Sequence, residues 1–372
     1  MKIQSLETFC VQIPLKPERR MISALGRHDS STFLLVRLTT DEGFFGVGEA
    51  TVTPRWSGET AFTAAAIIDR LFAPSLLGMD CSDPQQIDTL MEQLTVGNWF
   101  ARAAVEMACW DAAGKAAGRP VYELLGGAVR PLQIRNRFSL GAYEPAVAES
   151  RAAQLYSVGF RTIKVKTGGD PRTDLERVTA VRRAIGNDCE LTIDANGGWT
   201  FQQAESFLHS ATDLNISLVE QPLVRGDYTG TRKLKDRFGI RILADESCFD
   251  EIQLRELLIH RCCDAVTLYP GKQGGLLRAK RLALLAAAEN IPCTIGSNLE
   301  WDPGAAAMLH FVVSSENVRI EQIPGDCLGP SYHEFSIVRQ PLQIEGPFTM
   351  LTDRPGLGID VDWDLVRQHQ VH

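Results

Sequence analysis

Four β-type segments in the middle of this 372-residue chain end, one after another, in a charged residue. They close on Lys166, Asp194, Glu220 and Asp245, spaced roughly 25 to 28 residues apart, close to one strand–helix unit of a closed parallel barrel. Such a barrel builds its chemistry at the C-terminal ends of its strands, one side chain per strand. The first segment carries a second lysine, Lys164, two residues before Lys166. In an extended strand both ammonium groups then project from the same face. Two adjacent cations there are costly unless an anion sits beside them. The plainer alternative is an edge strand with its lysines in water.

The pattern around these segments supports a barrel. From residue 131 the sequence alternates strand and helix, with strands expected near 132–140, 161–167, 189–195, 216–221, 240–245, 264–269, 292–297 and 317–323. Helices fall between them, for example Pro171 to Ile185 and Thr200 to Ser210. Residues 1 to about 60 read as three strands, the second and third joined by a turn at Thr40–Gly43. Lys16–Asp29 and Thr53–Gly58 read as loops. Helices are expected over Ala61–Leu77, Pro84–Leu94 and Ala101–Ala117, the last stopped by Gly118 and Pro120. The tail from Phe335 to Asp362 returns to alternating apolar residues, which predicts that it packs back on the N-terminal part.

Composition narrows the function. A net charge of −8 with no basic run argues against a nucleic-acid partner. The longest apolar runs, such as Leu282 to Ala288, are too short to span a bilayer. The N-terminus alternates like a strand and lacks a signal-peptide core. The nine cysteines are scattered with no Cys-x-x-Cys pair, which fits reduced core thiols and a cytoplasmic protein.

Taken in order, the motifs resemble those of the enolase superfamily, in its muconate lactonizing enzyme subgroup (mandelate racemase/muconate lactonizing enzyme-like). Lys164-Val-Lys166 is similar to the second-strand Lys-x-Lys of that subgroup. Asp194-Ala-Asn196, Glu220-Gln-Pro222 and Asp245-Glu246-Ser247 are similar to its three metal-binding strand ends. The stretch from Ala104 to Gly127 resembles its link between two domains, and Ser297-Asn-Leu-Glu300 its seventh-strand motif. The resemblance implies an α/β fold: a modified (β/α)8 TIM-type barrel, (β/α)7β, over 131–325. An α+β capping domain would be formed by 1–130, with 326–372 returning to it.

The implied chemistry is abstraction of the proton next to a substrate carboxylate, giving an enediolate. Asp194, Glu220 and Asp245 would hold Mg²⁺, with Mn²⁺ as a substitute; the absence of His and Cys at these positions argues against zinc. Lys166 would be the base, its pKa depressed by Lys164 and the metal, and Lys164 a stabiliser of developing charge. Glu300 would orient substrate or handle a proton, or else simply pair with a lysine. Asn196, Glu246 and Ser297 would bind substrate or support the ligands. Arg55 and Trp56, with the segment from Arg19 to His28, would meet substrate from the capping domain, unless they are solvated loops. The expected partner is a small-molecule carboxylate, and a homo-oligomer is expected.

One position departs from the pattern. Asp264, Lys272 and Gly274-Gly275 keep the register of the sixth-strand motif, yet its catalytic lysine position is Tyr269. This favours chemistry on the Lys166 face alone, either cycloisomerisation or syn β-elimination. Epimerisation or racemisation of an amino-acid or hydroxy-acid derivative would need Tyr269 as a second base, and a space-filling tyrosine is the plain alternative. Two further readings stay open: a class I aldolase with Lys166 as Schiff base, and a non-catalytic carboxylate-binding protein.

Overall fold

The computed structural model describes residues 1–371. Three long strands open the chain: β1 (Ile3–Pro14), β2 (Ser30–Thr40) and β3 (Phe45–Thr51). They form an antiparallel meander with β2 in the middle. The helix Trp99–Ala117 lies against this sheet and is buried over almost its whole length. Gly46 and Gly48 on β3 let it approach: a Cβ at Gly48 would sit 1.8 Å from the Ala104 carbonyl oxygen. Small residues on both surfaces thus bring backbone against backbone, which only glycine permits at that strand position.

The second layer is a seven-stranded parallel sheet in sequence order. Its strands are β4 (Phe138–Leu140), β5 (Thr162–Lys166), β6 (Glu190–Asp194), β7 (Ile216–Glu220), β8 (Ile242–Ala244), β9 (Ala265–Leu268) and β10 (Cys293–Ile295). Between them run helices such as Pro171–Ile185 and Phe201–Ser210, the latter started by a Thr200–Gln203 capping box. The result is a modified TIM-type barrel with a capping domain.

Two strand expectations are corrected. Residues 317–323 form no continuous strand; the segment meets β10 through the Cys293–Val318 bridge and the Thr294 hydroxyl on the Ile323 carbonyl, and the chain just beyond it reaches the other edge at Asn136–Gly325. The barrel closes there through isolated backbone bonds, because Pro324 and Gly325 interrupt a regular ladder. The span 132–140 divides in two. Gln133–Arg135 pairs with Phe348–Met350, and only β4 joins the barrel. The Lys16–Asp29 segment is also more ordered than a loop, folding into a short ribbon of Met21–Ser23 against Gly26–His28. Thr53–Gly58 contains one helical turn, Pro54–Ser57, with Gly58 left-handed at its end.

The tail crosses back to the first layer. Val371 N donates to the Cys10 carbonyl at 2.8 Å, and the Trp363 ring lies 5.3 Å from that of Phe9. All nine cysteines are free and buried. Among the described residues no helix is long and apolar enough to cross a membrane.

Candidate active site

Strand register assembles the centre of the site. Lys166 stands opposite Asp194 in the β5–β6 ladder, and Asp194 opposite Glu220 in the β6–β7 ladder. Three strands therefore present a cation and two carboxylates in one row. Lys164, one pleat below Lys166, projects from the same face. Its ammonium bridges the two carboxylates, 3.0 Å from Asp194 Oδ2 and 3.1 Å from Glu220 Oε1. Lys166 Nζ donates to Asp194 Oδ2 at 2.5 Å and to Asn196 Oδ1 at 2.9 Å. The buried Arg137 guanidinium reaches Glu220 Oε2 at 3.2 Å.

The next strand end continues the pattern. Asp245 receives Lys272 Nζ at 2.7 Å, and that ammonium also donates to the backbone oxygens of Asp245 and Thr267. Glu246 Oε1 accepts from Asn196 Nδ2 at 3.0 Å and from the indole N–H of Trp56 at 3.1 Å. Gln221 staples adjacent loops: its side chain donates to Ser247 Oγ and accepts from the Asp245 and Ser247 amides. Three non-glycine residues here hold positive φ, Asn196 at 45°, Gln221 at 37° and Leu299 at 66°. Such strained backbone gathers where surrounding contacts fix a functional geometry.

Burial sets the electrostatics. Although burial opposes ionisation of Asp194, Lys164 and Lys166 hold its carboxyl below the usual carboxylate range. Glu220 is raised by burial and by Asp194, despite Lys164 and Arg137. Glu246 is pushed up to about 8 by burial, then by Asp245 and Asp194. Burial pulls Lys166 down, but the carboxylates around it, led by Asp194, more than offset this and hold it above its ordinary value. The depression expected from Lys164 is thus outweighed: three carboxylates, Asp194, Glu220 and Glu246, surround the lysine pair, and Asp194 is in direct contact.

The row opens onto a cavity of about 300 Å³ between barrel and capping domain. Lys164, Lys166, Asp194, Asn196, Asp245 and Ser297 line it from the barrel. Arg55 and Trp56 line it from the capping side, beside Met21, Leu25 and His28. Arg55 donates to the Leu25 carbonyl, tying the two capping segments together.

Tyr269 and Glu300 do not reach this cavity. Tyr269 is 1% exposed, stacks on Trp56 at 5.6 Å, and directs its hydroxyl toward Asp245 Oδ1 at 3.4 Å. Burial and then Asp245 and Glu300 raise its pKa well above the ordinary value. Glu300 is buried and accepts from Ser297 Oγ at 2.6 Å and from the Asn298 amide. Burial pushes it up to about 7, and it pairs with no lysine among the described residues.

The carboxylates suit a hard divalent cation. The donor set is all oxygen, and Glu246 Oε2 is buried without a hydrogen-bond partner. Ammonium groups bridge the carboxylates as they stand, and among the described residues no three are drawn together tightly enough to chelate an ion.

Comparison with known proteins agrees with this arrangement. Residues 4–126 match the mandelate racemase/muconate lactonizing enzyme N-terminal domain, and residues 147–365 match the enolase C-terminal domain-like family. The chain belongs to the enolase superfamily, muconate lactonizing enzyme subgroup. It is 32% identical to an L-Ala-D/L-Glu epimerase of Bacillus subtilis, covering 96% of this chain and 97% of the relative. It is 30% identical to a chloromuconate cycloisomerase of Cupriavidus necator, covering 99% of each. A solved dipeptide epimerase from Enterococcus faecalis, complexed with Mg and L-Leu-L-Tyr, superposes with a TM-score of 0.90 at 31% identity. That match covers 97% of this chain and all of the other. Enolase superfamily relatives of this chain thus include both cycloisomerases and epimerases.

Several site residues escaped the sequence reading. Arg137 lies just before β4 and Asp326 beyond the last strand, where no motif marks them. Asp326 Oδ2 accepts from Ser139 Oγ at 2.8 Å, and both residues line the cavity. Lys272 was read only as a register mark, yet it is wholly buried against Asp245. A lysine in an otherwise apolar turn was the available signal, since such a charge is buried only when paired.

Proposed function

We propose that this chain is an enzyme that removes the proton next to a substrate carboxylate with Lys166, and carries the enediolate on to cycloisomerisation or syn β-elimination. The row of Lys166, Asp194 and Glu220 at the cavity floor, bridged by Lys164, carries the reading. Asp194, Glu220 and Asp245 would hold Mg²⁺, or Mn²⁺ in its place, with Glu246 and Asn196 supporting them. When bound, the cation would supply positive charge at the substrate carboxylate and compete with Lys166 for Asp194. Lys164 would stabilise the charge that develops as the proton leaves. Lys166, held by Asp194 and Asn196, would take that proton and return it on the same face. Glu300 would position the loop through Ser297 and Asn298.

Epimerisation is the second reading, favoured by the epimerase and racemase relatives. It needs a proton carrier opposite Lys166. Tyr269 stands at the corresponding strand end, but its hydroxyl faces a carboxylate and burial opposes its ionisation. Lys272 has all three of its donors engaged. These contacts support one-face chemistry. A Schiff base on Lys166 would leave the three strand-end carboxylates without a role. The test is a panel of small carboxylates incubated with enzyme and Mg²⁺ in D₂O and followed by NMR. Exchange of one enantiomer's α-proton with retention supports the proposal. Equal exchange of both enantiomers replaces it with epimerisation, and absence of exchange throughout the panel counts against proton abstraction.

A further inference from the structure

A second cavity of about 250 Å³ lies behind β4. Ser139 pairs with Lys164 in the β4–β5 ladder and so shares its face, toward the reaction cavity, whereas Phe138 and Leu140 on either side of it point the other way. Those two side chains form one wall of the second cavity, and the Pro145–Ser157 helix and the turn Pro17–Arg19 complete it. The strand itself therefore stands between an occupant of this rear chamber and Lys166.

Two half-buried guanidinium groups face the chamber, Arg19 and Arg151, and among the described residues neither forms an ion pair. The Arg19 guanidinium lies over the Phe138 ring at 4.9 Å and the Tyr332 ring at 5.5 Å. Arg151 lies over the Tyr143 ring at 4.0 Å and donates to the Glu18 carbonyl at 2.8 Å. Burial raises the Tyr143 phenol, and Arg151 and then Arg19 pull against it, so both charges lie near one oxygen. The one carboxylate in the lining, Glu18, is on an exposed residue and pairs with neither arginine. Two cations held side by side repel unless an anion joins them, and this pair stands in a chain of net charge −8. Stacking on aromatic rings fixes each guanidinium and leaves it N–H donors to spare. Leu155 and Val158 extend the apolar wall beside the charges, and Val158 is 58% exposed, so the chamber opens to solvent there.

We infer that the rear chamber is a second binding site, separate from the reaction cavity, for a small oxyanion with an apolar tail, its head gripped by Arg19 and Arg151. A carboxylate and a phosphate monoester offer a guanidinium pair the same chemistry, oxygens that accept charge-assisted hydrogen bonds. The occupant is an effector rather than a substrate, since β4 screens it from Lys166. It would brace the base of the ribbon Met21–His28, which lines the reaction cavity. That ribbon is tied to the loop after β4 by Ala142 N on the Ile22 carbonyl at 2.7 Å and by the Tyr143 hydroxyl on the Arg20 carbonyl. Neither the binding nor its test depends on the reaction proposed above.

The experiment is calorimetric titration in EDTA, which keeps the strand-end carboxylates free of metal. The probes are hexanoate, hexyl phosphate and 1-hexanol. At least one of the two anions should bind about tenfold or more tightly than the alcohol, as a charge-assisted hydrogen bond supplies, and the tighter of them names the headgroup. Arg19→Gln and Arg151→Gln should each lower that affinity about tenfold. Val158→Glu, at an exposed position that tolerates a charge, should weaken it too, by lending the arginines a carboxylate of their own. Amide hydrogen exchange with the anion bound should slow over residues 17–23 and 145–157, and not at the strand ends that carry Asp194 and Glu220. Equal binding of anions and alcohol overturns the inference, as does an affinity that survives all three substitutions. Protection confined to the strand ends overturns it as well, because the anion would then occupy the reaction cavity.

Discussion

Lys166 Nζ and Asp194 Oδ2 lie 2.5 Å apart, on directly paired positions of neighbouring strands. The proposed base is therefore held by a proposed metal ligand. Lys166→Ala should abolish α-proton exchange, because among the described residues the other amine lining the cavity is Lys164, whose donors engage Asp194 and Glu220. Lys164→Ala should slow exchange about a hundred- to a thousandfold, the effect of removing one preorganised charge. Both are read by NMR in D₂O, and exchange at the parent rate in Lys166→Ala would remove that residue from the mechanism.

Metal dependence can be separated from folding. Treatment with EDTA should end exchange, and Mg²⁺ or Mn²⁺ should restore it. Asp245→Asn should weaken metal binding, measured by titration calorimetry, while the circular dichroism spectrum stays that of a folded barrel. Full activity after stripping would contradict the assignment of the three carboxylates.

Tyr269 discriminates between outcomes. Its hydroxyl touches only Asp245 among the described side chains. Tyr269→Phe should therefore reduce turnover modestly and leave exchange on the Lys166 face intact. If the parent exchanges both enantiomers and Tyr269→Phe stops one alone, the tyrosine is a second base and the enzyme an epimerase.

The pH dependence of stability should carry the mark of a carboxyl outside the site. Glu106 is buried and accepts from the Leu276 and Leu277 amides and the Trp110 indole. Burial, the dominant cause, pushes it up to about 7 from an ordinary 4.5. The folded protein then holds a proton that the unfolded chain releases. This contribution is complete below about pH 4.5, declines as pH rises, and is lost above about 7. Its full span is about 3 kcal/mol. Urea titrations across that window should show stability from this group falling with pH. Glu106→Gln should be less stable at every pH but show a flatter slope; an unchanged slope would assign the titration elsewhere.

The catalytic row was legible because a period of one strand–helix unit and a two-residue strand period are both written in residue types. The spacing of Lys166, Asp194, Glu220 and Asp245 is enough to place them on one rim. What was hidden depends on contacts remote in sequence. The segment 317–323 has strand-like residues, yet Pro324 and Gly325 leave it only isolated bridges. Lys166 was expected to be depressed by Lys164 and a metal, but three buried carboxylates from later strand ends, Asp194, Glu220 and Glu246, hold it above its ordinary value. Tyr269 occupies the expected strand end, and only packing shows it buried under Trp56 with its hydroxyl engaged toward Asp245.

The bond from the Trp56 indole to Glu246 joins the capping turn to the barrel rim. The same ring stacks on Tyr269 and leans on Phe100 and Phe249. Lifting that turn would take an indole from a dry aromatic nest into water. Trp56 emission should then shift to the red, so the protein carries its own optical gauge of whether the barrel mouth is covered. Stopped-flow fluorescence could time the covering and uncovering of the mouth for any ligand, with no label and no chemical turnover.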